Sequence, residues 1–332
     1  MSQTIYFGTY TKKESKGIYK AQFDPETGTL SQLELVAAEP NPTYIAFSEK
    51  GNLYSVGAEE GKGGIASFTA DFQPLNHVVE EGAPLCYVSV DDKRQLVYGA
   101  NYHKGQVLVY QLEADGHLSF VDQGSGPHAN QASPHTHYAD LTPDQYLITC
   151  DLGTDSLHVY DVSEEGNLTL INQYQTAPGA GPRHLVFHPH YKTAYLINEL
   201  NATIDVLFYD GMGEFEHFQT VSTLPSDYDG QKWASAIKLS ADGKFLYASN
   251  RAHNSIAVFE VIADGSLKLI EIVPTDGLNP RDFTLSPDQN YLIAAHQDSP
   301  NATVFKRDSA SGKLTLLSDD FYVPEAVCTV FH

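Results

Sequence analysis

Apolar and polar residues alternate in short runs along most of this chain, a pattern typical of β-strands that have one buried face. Two such runs, His184–Phe187 and Ala194–Ile197, are separated by a short turn-like segment. We therefore predict that they form an antiparallel hairpin. Arg183 precedes the first strand and Glu199 follows the second, so their side chains should lie side by side at the open end of the hairpin.

The same order of elements recurs six times along the chain: an apolar strand, a turn, a Leu-Tyr strand, a loop and a strand of the type V-x-V-F/Y. The repeats are spaced by roughly 40 to 50 residues, the period of a four-stranded propeller blade. Turns such as Asp115-Gly116 and Asp264-Gly265 place Gly where a hairpin between third and fourth strands needs a positive φ. The six first strands begin at Pro42, Pro84, Pro134, Pro182, Ala234 and Pro280.

The N-terminal segment starts out of phase with this repeat. Ile5–Tyr10 reads as a second strand, and the missing first-strand pattern occurs at residues 324–332. We predict an all-β fold, a seven-bladed β-propeller that spans 1–332 as a single domain, in which 324–332 completes a first blade formed by 1–38. Such a ring leaves no long unpaired edge. The alternative, two β-sandwiches, does not explain why the two ends complement each other.

Loop lengths distinguish the two faces of the predicted ring. The short turns share one face, whereas longer connections rich in Gly, Pro and Ser, such as 124–133, 176–181 and 224–232, lie on the other. Long loops on a rigid scaffold commonly carry function. We call this end of the central channel the mouth. First-strand starts and second-strand ends should line it: Glu59, Asn101, His135, His137, Asp151, Arg183, Glu199, Arg251 and Arg281.

These polar residues have two possible roles. Inward polar side chains of a propeller can simply bind one another and water, and we favour that role for Asn101 and Asp151 because Asp151 opens a turn-type sequence. The three arginines are different. Guanidinium groups gathered in one mouth repel one another unless an anion or carboxylates meet them, which favours a functional role for all three. The candidate substrate-binding residues are Arg251, Arg281, Asn101, Asp151 and Glu59.

Two histidine pairs require separate interpretations. His188 and His190 resemble metal ligands, but they fall in a short turn on the opposite face, so we predict turn residues. His135 and His137 are two residues apart on a strand and should both point towards the mouth. A zinc site there lacks a suitably spaced third ligand, so we favour a catalytic or hydrogen-bonding imidazole and predict no metal and no other cofactor.

Composition excludes several kinds of partner. The chain has 20 Lys and Arg against 42 Asp and Glu, a formal net charge of -22, and no basic run. This argues against nucleic acid or an anionic membrane as a partner. The N-terminus does not resemble a signal peptide, and no stretch is long enough to cross a membrane. Three widely spaced cysteines suit reduced thiols. We therefore expect a cytoplasmic protein, a monomer or a weak homodimer.

Ordered motifs spread along nearly the whole chain carry a family resemblance. They are Gly8-Thr9-Tyr10-Thr11, Ala100-Asn101-Tyr102, Pro134-His135-Thr136-His137, Gly181-Pro182-Arg183-His184, Asn198-Glu199-Leu200, Ser249-Asn250-Arg251 and Asn279-Pro280-Arg281-Asp282. In this order they resemble the seven-bladed propeller lactonases, which include bacterial 6-phosphogluconolactonase and fungal carboxymuconate cyclase. The resemblance implies metal-free hydrolysis of a sugar lactone by residues that match His135, His137, Arg183, Glu199, Arg251 and Arg281 here.

The resemblance leads to a hypothesis about mechanism. A phosphorylated δ-lactone, a small anionic substrate, would bind with its phosphate on two of the three arginines. Glu199 or His137 would activate water, His135 would protonate the departing alkoxide, and an arginine would stabilise the oxyanion.

Two other functions stay open. The same mouth could cycloisomerise a carboxylated diene acid, or the propeller could be a non-catalytic module that binds a protein. Such a module should carry aromatic anchors on a loop face. Tyr228 and Trp233 are the main aromatic residues of the long loops, which otherwise hold small residues.

Overall fold

The computed structural model describes residues 2–125 and 133–332, which form 28 strands in seven four-stranded sheets. Blade 1 contains β1 (Gln3–Thr9), β2 (Gly17–Asp24) and β3 (Thr29–Ala38); blade 2 contains β4 (Ile45–Phe47), β5 (Leu53–Glu59), β6 (Lys62–Phe68) and β7 (Pro74–Glu80); blade 3 contains β8 (Tyr87–Asp91), β9 (Leu96–Asn101), β10 (Gln106–Leu112) and β11 (Leu118–Gly124). Blade 4 contains β12 (Thr136–Leu141), β13 (Leu147–Asp151), β14 (Ser156–Val162) and β15 (Leu168–Gln175); blade 5 contains β16 (Pro182–Phe187), β17 (Thr193–Asn198), β18 (Thr203–Tyr209) and β19 (Phe215–Ser222). Blade 6 contains β20 (Ala234–Leu239), β21 (Phe245–Asn250), β22 (Ser255–Val261) and β23 (Leu267–Pro274); blade 7 contains β24 (Pro280–Leu285), β25 (Tyr291–His296), β26 (Asn301–Arg307) and β27 (Leu314–Tyr322); β28 (Ala326–Phe331) completes blade 1.

The first strands of the blades contact one another in the cyclic order β28, β4, β8, β12, β16, β20 and β24. β28 pairs antiparallel with β1, with Val330 opposite Tyr6, so the two ends of the chain share one sheet. The cyclic order excludes two sandwiches and confirms the predicted all-β, seven-bladed propeller. None of the described residues forms a helix that could span a membrane.

Buried tyrosines connect successive blades. The hydroxyls of Tyr195 and Tyr247, on second strands, donate hydrogen bonds to the carbonyls of Gly265 and Gly312, in the third-to-fourth turns of the next blades, over 3.0 and 2.8 Å. Both glycines have positive φ values, as the hairpin pattern predicts. The repeated Leu-Tyr strand and the repeated Gly turn are therefore two halves of one contact between blades.

The turns opposite the mouth are saturated with internal hydrogen bonds. His188 Nδ1 accepts the backbone N–H groups of His190 and Tyr191, and its Nε2 lies 3.1 Å from the carbonyl of Gly243 in the next blade. This confirms the prediction that His188 and His190 are turn residues. On the other face, residues 126–132 of the predicted long connection 124–133 lie outside the described residues.

Candidate active site

Three blades direct a polar side chain to the mouth by the same local irregularity. In β12, β16 and β24 the pairing with the second strand shifts by one residue, which leaves His137, Arg183 and Arg281 without a partner in the register. A β-bulge of this kind bends the strand and re-aims the extra side chain. All three residues consequently line cavities on the axis of the ring.

Glu199 lies between two guanidinium groups. Its Oε2 is 2.9 Å from Nε of Arg183, and its Oε1 is 2.8 Å from Nη2 of Arg251. The Arg183–Glu199 contact confirms the geometry predicted for the open end of the hairpin. Glu199 directly follows β17, where its N–H donates to the carbonyl of Gly181 over 2.7 Å. Gly181 has a φ of 67°, and a Cβ there would lie 2.5 Å from Cγ of Leu200, so the turn requires glycine.

This cluster is charged at neutral pH. Burial alone raises the pKa of Glu199, but the charges of Arg251, Arg183 and Arg281 outweigh it and hold the pKa below its ordinary value. Burial and the nearby Arg281 lower the pKa of Arg183 to about 9, even though Glu199 acts in the opposite direction. The carboxylate is therefore ionised while Arg183 stays protonated.

The ion pairs leave a hydrogen-bond donor available. Nε of Arg183 and Nη2 of Arg251 are engaged by Glu199 at 2.9 and 2.8 Å. Nε of Arg251 is buried and has no hydrogen-bond partner within the described part of the chain. A buried donor without an acceptor is costly. The cluster is thus suited to a ligand that brings oxygen atoms.

His137 is a buried neutral imidazole next to these cations. It is 4% exposed, and its ring centre is 5.2 Å from that of His184. Burial, reinforced by the charges of Arg183, His184 and Arg281, holds the pKa of His137 well below its ordinary value. Nδ1 of His137 has no hydrogen-bond partner in residues 2–125 and 133–332. A neutral ring with an unused nitrogen can accept or donate a proton.

His137, Glu199 and Arg251 line a cavity of about 380 Å³ at the mouth, and Arg183 lines a smaller cavity that shares His137 and Arg281 with it. Below it the axis is filled by aromatic rings: the centres of Tyr44 and Tyr87 are 4.2 Å apart, those of Tyr87 and Tyr138 are 4.8 Å apart, and the ring of His184 contacts all three. Aromatic rings therefore pack beneath the charged residues of the mouth. The wall of the larger cavity includes Tyr10, Lys12, Tyr102, His103, His137, Glu199, Arg251 and Arg281.

Two residues expected at the mouth instead cap the turns that follow their strands. Oδ1 of Asp151 accepts the N–H groups of His135, Gly153 and Thr154. Oδ1 of Asn101 accepts the next turn's N–H groups, including that of His103 at 3.1 Å. Neither side chain lines the cavity, so their placement at the mouth is wrong. They serve the structural role that the sequence favoured for both.

Glu59 and His135 also lie away from the cavity wall. Glu59 has a side chain that is 56% exposed, and its Oε1 is 3.7 Å from Nδ1 of His77. His135 precedes β12 rather than lying in it, so strand alternation does not set its direction. Its ring stacks on that of Tyr102 with centres 4.3 Å apart, and Nδ1 lies 2.9 Å from the Tyr102 carbonyl. We therefore assign His135 a supporting place behind Tyr102.

The cavity wall contains residues that the sequence interpretation missed, above all Tyr10, Lys12 and Tyr102. Their positions follow a rule. The last residue of a second strand caps the turn, as Asn101 does, and the residue after it reaches the cavity, as Glu199 and Tyr102 do. Applied to β1, the same rule finds Tyr10, which directly follows Thr9. Lys12 lies beyond it, in the loop to β2, where the repeat gives no signal.

Comparison with known proteins places this architecture in a family. Residues 4–331 match the family model described as "Lactonase, 7-bladed beta-propeller". The chain is 42% identical to a Bacillus subtilis protein named 6-phosphogluconolactonase, over 98% of this chain and 97% of the relative. A solved structure of a Lactobacillus plantarum protein has a TM-score of 0.97, with 47% identity and coverage of 100% of both chains.

A third relative carries a different substrate in its name. The structure of the Pseudomonas aeruginosa periplasmic gluconolactonase has a TM-score of 0.91 and 30% identity, covering 100% of this chain and 99% of that one. Family model and relatives thus agree along the full length of the described ring. The chain belongs to the family of seven-bladed β-propeller lactonases, enzymes that hydrolyse lactones.

Proposed function

We propose that the cavity at the mouth hydrolyses 6-phosphogluconolactone to 6-phosphogluconate. The observation that carries the proposal is a pair of unsatisfied nitrogens on residues that line the same cavity, Nε of Arg251 and Nδ1 of His137. Two facts support a phosphorylated substrate. The Bacillus subtilis relative is named for it, and the mouth concentrates cations in a chain of net charge -22.

The arginines stabilise the charge that develops on the lactone carbonyl. Nε of Arg251, which has no partner in the described part of the chain, can donate a hydrogen bond to that oxygen as water adds to the carbonyl carbon, and the charge of Arg183 favours the same oxyanion. Such donors are worth roughly 3 to 4 kcal/mol each where they have been removed from other enzymes. Glu199 holds both guanidiniums in position and offsets their mutual repulsion. The donors are therefore oriented before the substrate binds.

His137 moves the proton. Its neutral imidazole takes a proton from the attacking water as the new C–O bond forms. The ring C–O bond of the tetrahedral intermediate then breaks, and the departing alkoxide takes the proton back from the imidazolium. The product is a carboxylic acid that ionises in water. A single histidine performs the same two transfers in serine hydrolases, so no second acid is needed and the role expected for His135 passes to His137.

Glu199 is less suited to be the base. Both of its oxygens face guanidinium groups, and its lowered pKa makes it a poor proton acceptor. We therefore assign Glu199 to positioning and charge balance, and His137 to proton transfer.

The test is a coupled assay for 6-phosphogluconate, run at a pH low enough to slow spontaneous ring opening. Arg183→Ala and Glu199→Gln should each lower kcat/KM at least roughly 100-fold, because each removes or misplaces a group that stabilises the oxyanion. Glu34→Gln is the matched control, since it breaks an exposed ion pair with Lys20 that should contribute little.

Circular dichroism and thermal unfolding establish that each variant is folded. Folded Arg183→Ala and Glu199→Gln proteins with the parent rate would falsify the site. A parent protein that opens no lactone but cycloisomerises a carboxymuconate would transfer the same cavity to the alternative reaction.

A further inference from the structure

The positive charges of the mouth fall into two groups. Arg183 and Arg251 share the carboxylate of Glu199. Arg281 and Lys12 have no ion-pair partner anywhere in residues 2–125 and 133–332; the polar side-chain contact of Arg281 is a 3.4 Å hydrogen bond from Nη1 to Gln297. The single carboxylate of Glu199 offsets part of the charge of Arg183 and Arg251, whereas no carboxylate within the described residues pairs with Arg281 or Lys12.

Lys12 and Arg281 meet at one aromatic ring. Nζ of Lys12 lies 4.0 Å from the ring centre of Tyr10, and Cζ of Arg281 lies 5.9 Å from the same centre. All three residues line the cavity. They come from blades 7 and 1, whereas Glu199 and Arg251 follow β17 in blade 5 and β21 in blade 6. Lys12 and Arg281 thus add positive charge on the side of the cavity formed by blades 7 and 1, and Arg281 lies close enough to Arg183 and His137 to lower their pKa values.

The loop that carries Lys12 is fastened by a buried carboxylate. Glu325 is 6% exposed, and its two oxygens accept the backbone N–H groups of residues 12 to 15 at 3.0 to 3.1 Å. Its own carbonyl accepts the N–H of Tyr10 over 3.0 Å. On the other side, Thr11 and Asn41 exchange two hydrogen bonds of 3.0 and 3.1 Å. The backbone under Lys12 is therefore held from two directions.

Glu325 itself lies in a backbone conformation that non-glycine residues rarely adopt, with φ at 52°. Such a conformation persists only where the surroundings determine it strongly. Here the surroundings are the amides of the 12–15 loop. The N-terminal loop and the start of β28 therefore fix each other beside the cavity.

The geometry points to Lys12 and Arg281 as a phosphate subsite that makes this enzyme select phosphorylated over unphosphorylated lactones, with Glu325 as the residue that positions Lys12. The inference rests on the proposed lactone hydrolysis and deepens it. A phosphate monoester carries nearly two negative charges. Arg281 can bind it through paired N–H donors, and Lys12 adds a mobile point charge at the exposed rim. Because Glu199 occupies the other two arginines, the expectation that two arginines hold the phosphate is replaced by one arginine and one lysine.

The test compares 6-phosphogluconolactone with glucono-δ-lactone, and the measured quantity is the ratio of their kcat/KM values. The parent should favour the phosphorylated lactone. Lys12→Met keeps the apolar stem but removes the charge, and should lower the ratio about 10- to 100-fold, mainly through KM of the phosphorylated substrate. Lys12→Arg should recover most of it.

Two further variants separate positioning from charge. Lys13→Met is the matched control, because Lys13 lies on the same loop and its N–H also binds Glu325, yet its side chain does not line the cavity; its ratio should equal that of the parent. Glu325→Gln keeps the shape but weakens the hold on the loop, and should lower the ratio in the same direction as Lys12→Met.

The outcomes distinguish the inference from the function it rests on. A Lys12→Met protein with an unchanged ratio, or a parent that prefers glucono-δ-lactone, overturns the phosphate subsite and leaves lactone hydrolysis standing. A parent that opens neither lactone overturns the proposed function, and the subsite with it. A fall in the ratio confined to Lys12→Met and Glu325→Gln supports both.

Discussion

The mouth and the opposite face of the ring, which carries the short turns and is called here the turn face, each contain a buried histidine. Comparing these two histidines distinguishes a reactive site from a structural one. His137 and His188 are 4% and 7% exposed, and burial lowers the pKa of both. They differ in hydrogen bonding. His188 uses both ring nitrogens in contacts within the protein, whereas Nδ1 of His137 has no partner in the described chain. Burial and a lowered pKa alone therefore do not identify a site.

Two arginines repeat the contrast. Arg94, in a turn of blade 3, donates from Nη1 to Asp91 and from Nη2 to the carbonyl of Gln145, both over 2.7 Å. Arg251, at the mouth, has a carboxylate 2.8 Å from Nη2 but retains Nε as a buried donor without a partner in the described chain. At these two positions the turns opposite the mouth use their polar groups to join blades. The mouth keeps some of its polar groups for a ligand, so substitutions on the two faces should affect different properties.

The largest difference is expected between the two histidines. His137→Asn should lower kcat for lactone hydrolysis about 100- to 10,000-fold, the range for loss of a general base, with little change in unfolding temperature. His188→Leu should keep the parent kcat per folded molecule. It should lower the free energy of unfolding by about 1 to 3 kcal/mol, since the N–H groups of His190 and Tyr191 lose their acceptor and the contact with the Gly243 carbonyl is lost. Steady-state kinetics and urea unfolding measure both, and the reverse pattern would place the chemistry on the wrong face.

A smaller difference is expected between the two arginines. Arg251→Lys should lower kcat/KM roughly 100-fold, because a single ammonium group cannot bind Glu199 and also donate to an oxyanion from a second nitrogen. Arg94→Lys should leave kcat/KM alone and cost about 1 to 2 kcal/mol of stability, since it loses the hydrogen bond that joins blades 3 and 4. Equal kinetic losses in the two variants would show that the effect is only structural.

The smallest effect is a shift in pH dependence. Because the pKa of His137 lies well below its ordinary 6.5, kcat/KM should stay level as pH falls through that value and decline only at lower pH, where the imidazole becomes protonated. Arg281→Met removes one of the cations that lower this pKa, so the decline should begin at higher pH. Lys13→Met should not move it. An acid limb that is identical in the parent and Arg281→Met would remove His137 as the titrating group.

The fold could be predicted from the sequence because each repeat independently indicates the same arrangement of strands. Alternation fixes the strands, Gly-containing turns fix the hairpins, and the N- and C-terminal patterns complement each other. The Arg183–Glu199 contact could be predicted for the same reason, since a hairpin places both residues at one end. An error of one residue in a strand boundary does not change the predicted fold, because seven blades repeat the same pattern.

The rest of the site depends on such single-residue differences. Asn101 and Asp151 end their strands and cap turns, whereas Glu199 and Arg251 come one position later and reach the cavity. The bulges that direct His137, Arg183 and Arg281 inward are shifts of register that no local pattern marks. Lys12 is placed by Glu325, more than 300 residues away in sequence. Long-range hydrogen bonds of this kind leave no periodic signal.

The pairing of β28 with β1 also has a consequence for biosynthesis. A ribosome makes Lys12 among the first residues of the ring and Glu325 among the last, so the loop under Lys12 lacks its carboxylate until nearly the whole ring has been translated. Until β28 is made, β1 in the first blade has an unpaired edge. Unpaired strand edges promote aggregation of partly synthesised chains. Since the same contact closes the ring and fastens the loop, a prematurely terminated chain would lack a finished cavity, and substrate turnover would begin only with the completed propeller.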